Sequence, residues 1–192
     1  MDGRVLRGEA NRQAIVDALL TLVTEQGSIP ASHEIARRAG VAKRSVFHHF
    51  PDMEALMVAA AETQLSKHWH VLNVPISGSL LERARQAVDQ RAELFEGIAG
   101  VRRVAVLHEH ESAELSKRLV YSRKMLRQHL RDSLQPEFSE LEKSGADGAL
   151  AACSWETWEV LRVHQKVSVN AAKEAVLSVI EGAFERALAA KG

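Results

Sequence analysis

The first fifty residues carry a small excess of positive charge, although the formal net charge of the 192-residue chain is zero. Seven lysine and arginine residues stand there against five aspartate and glutamate residues, and seven minus five is +2. Lys43 and Arg44 open a predicted short helix, whose free N–H groups also attract phosphate, and arginine can bond two acceptors on guanine. The distribution is compatible with phosphate contact, as it is with a solvated surface.

A second group of potentially reactive side chains is His108-Glu109-His110-Glu111. These residue types bind metal ions, and they keep open the alternative of a small helical metal-binding protein or an enzyme using this region. On a helix, however, residues two positions apart point about 200° away from each other and cannot converge on one ion.

Sequence signatures of other enzyme classes are missing. There is no glycine-rich phosphate loop, nucleophile elbow or paired-cysteine motif. Cys153, the only cysteine, has no obvious base beside it and is expected to be buried and apolar. We therefore predict no catalytic residue, no metal ligand and no cofactor.

The basic residues at 43 and 44 belong to a pattern of helix, tight turn and helix. Segment 9–26 places apolar residues on one helical face and is followed by Gly27. Short helices are predicted at 31–39 and 43–49, with Val46, Phe47 and Phe50 on the inner side of the second. Gly40 lies between them and can adopt the positive φ that the turn requires.

In this stretch the sequence resembles the TetR family. The matching positions are Ile35-Ala36, Ala39-Gly40-Val41, Phe47-His48-His49-Phe50 and Glu54-Ala55-Leu56. The resemblance implies a helix-turn-helix domain whose second helix enters the major groove of DNA. By position, it implies DNA-binding roles for Ser32, His33, Lys43, Arg44, Ser45, Phe47, His48 and His49.

Four positions depart from the family's pattern. Phe47 stands where tyrosine is usual, so a hydroxyl contact to phosphate is lost, and Met53 stands where a basic residue is common. Ala31 and Ala42 stand where serine or threonine often caps a helix, and each missing cap costs about 1 kcal/mol.

Four arginines outside the recognition helix receive separate interpretations. Arg4 and Arg7, in an N-terminal arm, are expected to compensate for lost contacts by reaching the DNA backbone or a minor groove. Arg37 and Arg38 are expected to form a solvated face.

The rest of the chain is predicted to be helical. Hydrophobic residues make up 46% and charged residues 26%, with only four prolines. Helices are predicted at 52–72, 79–99, 101–112, 114–134, 149–167 and 169–189, with a loop at 137–148. We predict an all-α fold of about nine helices, with the helix-turn-helix domain in residues 1–51 and a helical ligand-binding and dimerisation domain in residues 52–192.

The resemblance also implies a ligand pocket inside this second domain and a homodimer through residues 149–189. The last predicted helix supports the dimer with a long apolar seam that includes small residues, although that face could instead pack inward. The candidate ligand-binding residues are Trp69, Arg91, His108, Tyr121, Trp155 and Trp158.

Arg91 is the most informative of these candidates because it lies on an apolar stripe of its predicted helix. A buried charge needs either an internal partner, such as a glutamate, or an anionic ligand, and the sequence leaves both open. For each aromatic residue the alternative is ordinary core packing.

The expected function is that of a TetR-like repressor, released from a palindromic DNA operator by a small-molecule effector through a shift of the helix at 52–72. The single cysteine, the lack of a secretory signal and the lack of an apolar run of about 18 residues favour a cytoplasmic location without membrane contact.

Overall fold

The computed structural model describes the backbone of residues 3–189 and the side chains of residues 5–189. Within that range it contains nine α-helices and no strand, which confirms the all-α prediction. The helices are α1 (Gly3–Gln26), α2 (Ser32–Ala39), α3 (Lys43–His49), α4 (Met53–Trp69), α5 (Leu80–Leu107), α6 (Ala113–Ser133), α7 (Lys143–Ala152), α8 (Trp155–Glu159) and α9 (Val169–Ala189). Turns of 3-10 helix follow α4 and precede α7, and a π-helical turn extends α8.

The start of the chain differs from the sequence prediction. Helix α1 begins at Gly3 and not at residue 9, so Arg7 lies on a helix and not on an extended arm. The side chain of Arg4 lies outside those described. The DNA contacts expected of Arg4 and Arg7 stay a prediction.

The prediction of two helices at 79–99 and 101–112 is wrong, because α5 is continuous from Leu80 to Leu107 and passes through Gly100. A Cβ atom at Gly100 would lie 2.8 Å from Thr24 Oγ1 and 3.3 Å from Thr24 Cα. This glycine therefore permits close approach of α5 to α1 and does not end a helix.

The predicted loop at 137–148 is also wrong over its second half, because α7 begins at Lys143. The glycines in this segment suggested a loop, but Gly145 packs beside Ala183 of α9. Small residues allow α7 and α9 to lie close together.

The chain divides into two compact units. The first contains the described residues up to His68 together with Ile98–Leu119, and the second contains Trp69–Gly97 and the described residues from Val120 onward. The core of the first unit is built on α1, with Ile15, Leu19 and Ile35 fully buried. The core of the second includes Leu130, Leu134 and Ile180. These units divide the chain by packing, whereas the predicted boundary at residues 51 and 52 divides it by function.

Among the described helices, none is long and apolar enough to cross a lipid bilayer.

Candidate nucleic-acid interface

The turn between α2 and α3 is closed by Gly40. Its φ of 68° lies in the left-handed region, which confirms the predicted need for glycine. The N–H of Val41 donates to the carbonyl of Ala36 at 3.0 Å, and the N–H of Gly40 donates to Arg37 at 3.3 Å. This pair of hydrogen bonds ends α2 and fixes the direction in which α3 leaves.

The N-termini of α2, α3 and α4 differ in the hydrogen bonds that cap them. Neither Ala31 nor Ala42 has a side-chain cap, as the sequence indicates. At α2 the Glu34 carboxylate accepts a hydrogen bond from the N–H of Ala31 at 2.9 Å, which supplies half of a capping box. At α4 the Asp52 carboxylate caps the helix by accepting a hydrogen bond from the N–H of Ala55 at 2.7 Å.

Helix α3 is held in place by two buried apolar side chains, Val46 and, at its C-terminal end, Phe50. Phe47 was expected on the same inner face, but its side chain is 44% exposed. The reason is the helical period: Val46 and Phe50 are four positions apart and share a face, whereas Phe47 is rotated by about 100° toward solvent. Phe47 therefore lies on the outer surface of α3.

The other predicted DNA-binding residues lie at the start of α2 and along α3. Lys43, Arg44, His48 and His33 are exposed, while Ser32, Ser45 and His49 are partly exposed. The rings of His48 and His49 meet edge to face, with 5.4 Å between centroids. Within the described part of the chain, Lys43 and Arg44 form no ion pair and no hydrogen bond through their side chains.

Arg38 has a different environment from the two basic residues of α3. Its guanidinium donates to both carboxylate oxygens of Glu25 on α1, at 2.7 and 3.0 Å. This hydrogen bonding to Arg38 holds the pKa of Glu25 below its usual value. Arg38 thus links α1 to α2, and Arg37 stays exposed.

Two further contacts in this unit were not identified from the sequence. The Arg12 guanidinium lies 4.7 Å from the centroid of the Phe50 ring, which connects α1 to the end of α3. Met53, at the position where a basic residue was expected, packs partly buried against the core. The contact of Arg12 with Phe50 could not be predicted from the sequence, because the two residues are far apart along the chain.

The helix after the helix-turn-helix is attached to α6 at two points within the first unit. The Ser112 hydroxyl donates to the Glu54 carboxylate, and Arg118 donates to Glu62. Ser112 also caps α6 by accepting from the N–H of Leu115 at 3.0 Å. The N-terminal ends of α4 and α6 are therefore joined by hydrogen bonds.

The candidate ligand-binding residues of the second unit do not share one environment. Arg91, Trp155 and Trp158 are buried, and Trp69 is half-buried at the end of α4. Tyr121 is 64% exposed and lies on the outer surface of α6, so the expectation that it lines an interior cavity is wrong.

His108 lies in the first unit, in the turn that follows α5. Its Nδ1 is 2.6 Å from a carboxylate oxygen of Glu111, and His110 Nε2 is 3.7 Å from the other oxygen. The helical argument against convergence does not apply here, because α5 ends at Leu107. Even so, no group of three potential metal ligands occurs among the residues that the structure describes.

Comparison with known proteins gives two kinds of similarity. Residues 15–60 match the family model for bacterial regulatory proteins, tetR family. The fold resembles that of a transcriptional regulator from Rhodococcus sp. Rha1, with a TM-score of 0.72 at 19% identity, covering 91% of this chain and 96% of that one. It also resembles a regulator from Rhodococcus sp. assigned to the TetR family, with a TM-score of 0.71 at 17% identity, covering 91% and 98%. Comparison with curated proteins gives no match.

The matched segment contains the whole helix-turn-helix described above, and the fold is shared over nearly the full length. The helix-turn-helix segment is thus similar to bacterial regulatory proteins of the tetR family, and the chain shares the fold of the two Rhodococcus regulators.

Proposed function

We propose that this protein is a repressor that binds a palindromic operator in double-stranded DNA as a homodimer and is released by a small-molecule effector. The observation that carries the DNA-binding part is the outer surface of α3. Two exposed cations without internal partners stand there beside His48 and Phe47, on a helix anchored by Val46. Cations that are not paired within the protein are free to neutralise phosphates or read guanine.

The test is the double substitution Lys43→Ala with Arg44→Ala, assayed on the DNA upstream of the protein's own gene. We expect the affinity to fall by about tenfold or more at fixed salt, and the slope of log affinity against log salt to become shallower by roughly two. Fluorescence anisotropy of labelled DNA over a salt series measures both quantities.

The matched control is Lys117→Ala with Lys124→Ala, which removes two exposed cations from α6. This variant has the same change in net charge, so a general electrostatic effect would weaken both variants equally. If the α3 variant keeps wild-type affinity and salt dependence, the assignment of α3 as the DNA-reading helix fails.

The dimer is proposed for residues 149–189 from the apolar surface left exposed there. Much of the seam on α9 packs inward, with Ala172, Val176 and Ile180 buried. Val179 and Leu188 remain exposed, as do Val160 and Val163 just before α9. A second copy of the chain would cover these side chains. The dimer would also supply the two copies of α3 that are needed to read a palindromic site.

Release by an effector is proposed to act through α4. This helix follows the recognition helix after only three residues, and its hydrogen bonds to Ser112 and Arg118 would transmit a displacement of α6. A ligand shifts DNA affinity only by the difference in its own affinity for the two conformations. If every ligand that binds the protein leaves DNA affinity unchanged, this coupling is refuted.

A further inference from the structure

The interior of the second unit contains a positive charge without a negative partner. Arg91 on α5 is only 4% exposed. Its Nη1 donates to the carbonyl of Cys153 at 3.1 Å, and its Nη2 donates to the carbonyl of Leu126. Within the described side chains Arg91 forms no ion pair, so the glutamate partner considered from the sequence is not there.

Two carbonyl groups satisfy hydrogen bonds but do not cancel a full charge. Burial lowers the pKa of Arg91, yet an arginine stays protonated in proteins. Burial also raises the pKa of the neighbouring Cys153 thiol to about 11, so this group is neutral and supplies no negative charge. Isolated burial of an ion costs several kcal/mol or more, and proteins offset that cost with a counter-charge.

Among the described buried side-chain atoms of this unit, those without a hydrogen-bond partner include Arg91 Nε, His129 Nδ1 and Gln90 Oε1. His129 Nε2 lies 3.1 Å from the carbonyl of Leu72, and Gln90 Nε2 donates to the carbonyl of Val74 at 2.8 Å. Both side chains therefore lie against the same short segment after α4. Since His129 Nε2 faces an acceptor and must carry the proton, Nδ1 of the neutral ring is itself an acceptor.

A cluster of packed, buried aromatic side chains lies one helical turn from Arg91. Phe95 follows it by four positions on α5 and meets the Trp155 ring edge to face, with 5.6 Å between centroids. Trp158 lies 6.3 Å from Phe95 and donates through Nε1 to Glu96 at 2.9 Å. The described interior of the second unit thus contains one buried cationic donor, two neutral acceptors and a cluster of aromatic rings.

We propose that the second unit binds a small aromatic carboxylate bearing a hydroxyl group, with Arg91 as its charge partner. The carboxylate accepts from Arg91 Nε–H and neutralises the buried cation. The hydroxyl donates to His129 Nδ1 or Gln90 Oε1, and the ring packs against Phe95 and Trp155. This proposal rests on the effector part of the proposed function, for which it names the ligand class.

The experiment is titration calorimetry on the full chain without DNA, at constant ionic strength. The probes are 3-hydroxybenzoate, benzoate and the neutral 3-hydroxybenzamide. We expect 3-hydroxybenzoate to bind most tightly and the amide at least about tenfold more weakly, because a hydrogen bond to a charged group is lost.

Two substitutions and one control locate the site. Arg91→Met should abolish the preference for carboxylate over amide, whereas Arg91→Lys, which keeps the charge, should retain the preference with weaker binding. Arg85→Met removes an exposed arginine of the same helix, paired with Glu174, and should bind like the wild type. Circular dichroism checks the folding of each variant, and Arg91→Lys carries the test if Arg91→Met does not fold.

The proposal is overturned if neither carboxylate binds at up to about 10 mM, which would occupy even a millimolar site. It is also overturned if the amide binds as well as the acid, because Arg91 would then serve only to hold the carbonyls of Cys153 and Leu126. DNA affinity is measured separately. If the carboxylate binds but DNA affinity stays the same, the binding site is upheld and the effector coupling is contradicted. If the wild-type protein does not bind DNA specifically, only the proposed function is contradicted.

Discussion

Phe47 presents an apolar ring at the outer surface of α3, where the family usually has tyrosine. Because the ring is already exposed, a hydroxyl can be added without disturbing the buried Val46 and Phe50. We expect Phe47→Tyr to raise DNA affinity by up to about tenfold, since a hydrogen bond to a charged phosphate contributes about 1.5 kcal/mol. The thermal stability should not change. Anisotropy titrations against the upstream DNA measure the gain.

Tyr121→Phe is the matched control, because it removes an exposed hydroxyl far along the sequence on α6. Its DNA affinity should equal that of the wild type. A Phe47→Tyr variant that binds DNA no better than the wild type would contradict the proposed orientation of α3 on DNA.

His129 is expected to make stability depend on pH. Burial lowers its pKa most, the charge of Arg91 lowers it further, and the Leu72 carbonyl and Asp132 oppose both effects. The folded protein therefore resists protonation of His129, whereas the unfolded chain accepts a proton near pH 6.5. The contribution of His129 to stability is complete above that pH and is lost as pH falls through it toward the lower, folded-state pKa.

The measurement is the midpoint of thermal unfolding at pH 7.5 and pH 5. We expect His129→Gln, which keeps an N–H donor for Leu72, to lose less stability on acidification than the wild type. An equal loss in both proteins would assign the acid sensitivity to other groups.

Single residues were predictable where the chemistry is local. The positive φ of Gly40 and the cap by Asp52 follow from residue type and neighbours alone. The exposure of Tyr121 was also predictable. The buried face of α6 contains Leu115, Leu119, Ser122 and Leu126, which recur at helical spacing, and residue 121 is not on that face. The burial of Arg91 was indicated by its place on an apolar stripe, but its hydrogen bonds to the carbonyls of Leu126 and Cys153 were not predictable, since both residues are distant in sequence.

At the scale of the elements, the glycines decide how tightly helices pack. We expect Gly100→Ala to destabilise the protein by about 1–3 kcal/mol, because its Cβ would overlap Thr24 on α1. Chemical denaturation measures the change. Gly8→Ala is the control: this glycine is within α1 with no atom near its Cβ position, and alanine there should stabilise by about 0.5–1 kcal/mol.

If both alanine variants shift the denaturation midpoint in the same direction, the close approach of α5 and α1 at Gly100 is not important for stability.

The two roles of glycine also explain why the helix boundaries near Gly100 and Gly145 were predicted at the wrong positions. A glycine that ends a helix and a glycine that admits a neighbouring helix look alike in sequence, and only the partner distinguishes them. By contrast, both bounds of α3 and the start of α9 were correctly predicted, because turn residues lie next to these helix ends.

At the scale of the whole molecule, the proposed assembly rests on α9 and the segment before it. We expect Val179→Glu to convert a dimer to monomer and to lower DNA affinity strongly, because each monomer then binds a single half-site. Sedimentation velocity and anisotropy measure the two effects. Val120→Glu, which places the same charge on an exposed position of α6, should remain dimeric.

A Val179→Glu variant that sediments like the wild type would place the dimer interface elsewhere. The sequence could indicate an apolar seam on the last helix, but not how much of it would be used internally. That division depends on how α7 packs against α9, and the sequence around α7 looked like a loop.

The shortness of α3 limits how much genetic information one copy can read. Seven residues at about 1.5 Å each extend roughly 10 Å, or about three base pairs. A fixed triplet occurs by chance about once in 64 positions, and a pair of triplets about once in 4,000, against millions of competing sites in a genome. We expect the remaining discrimination to come from contacts outside α3, such as those predicted for Ser32 and His33, and from the bendability of the base pairs between the half-sites. Changing those untouched central base pairs should therefore alter affinity as much as changing a contacted one.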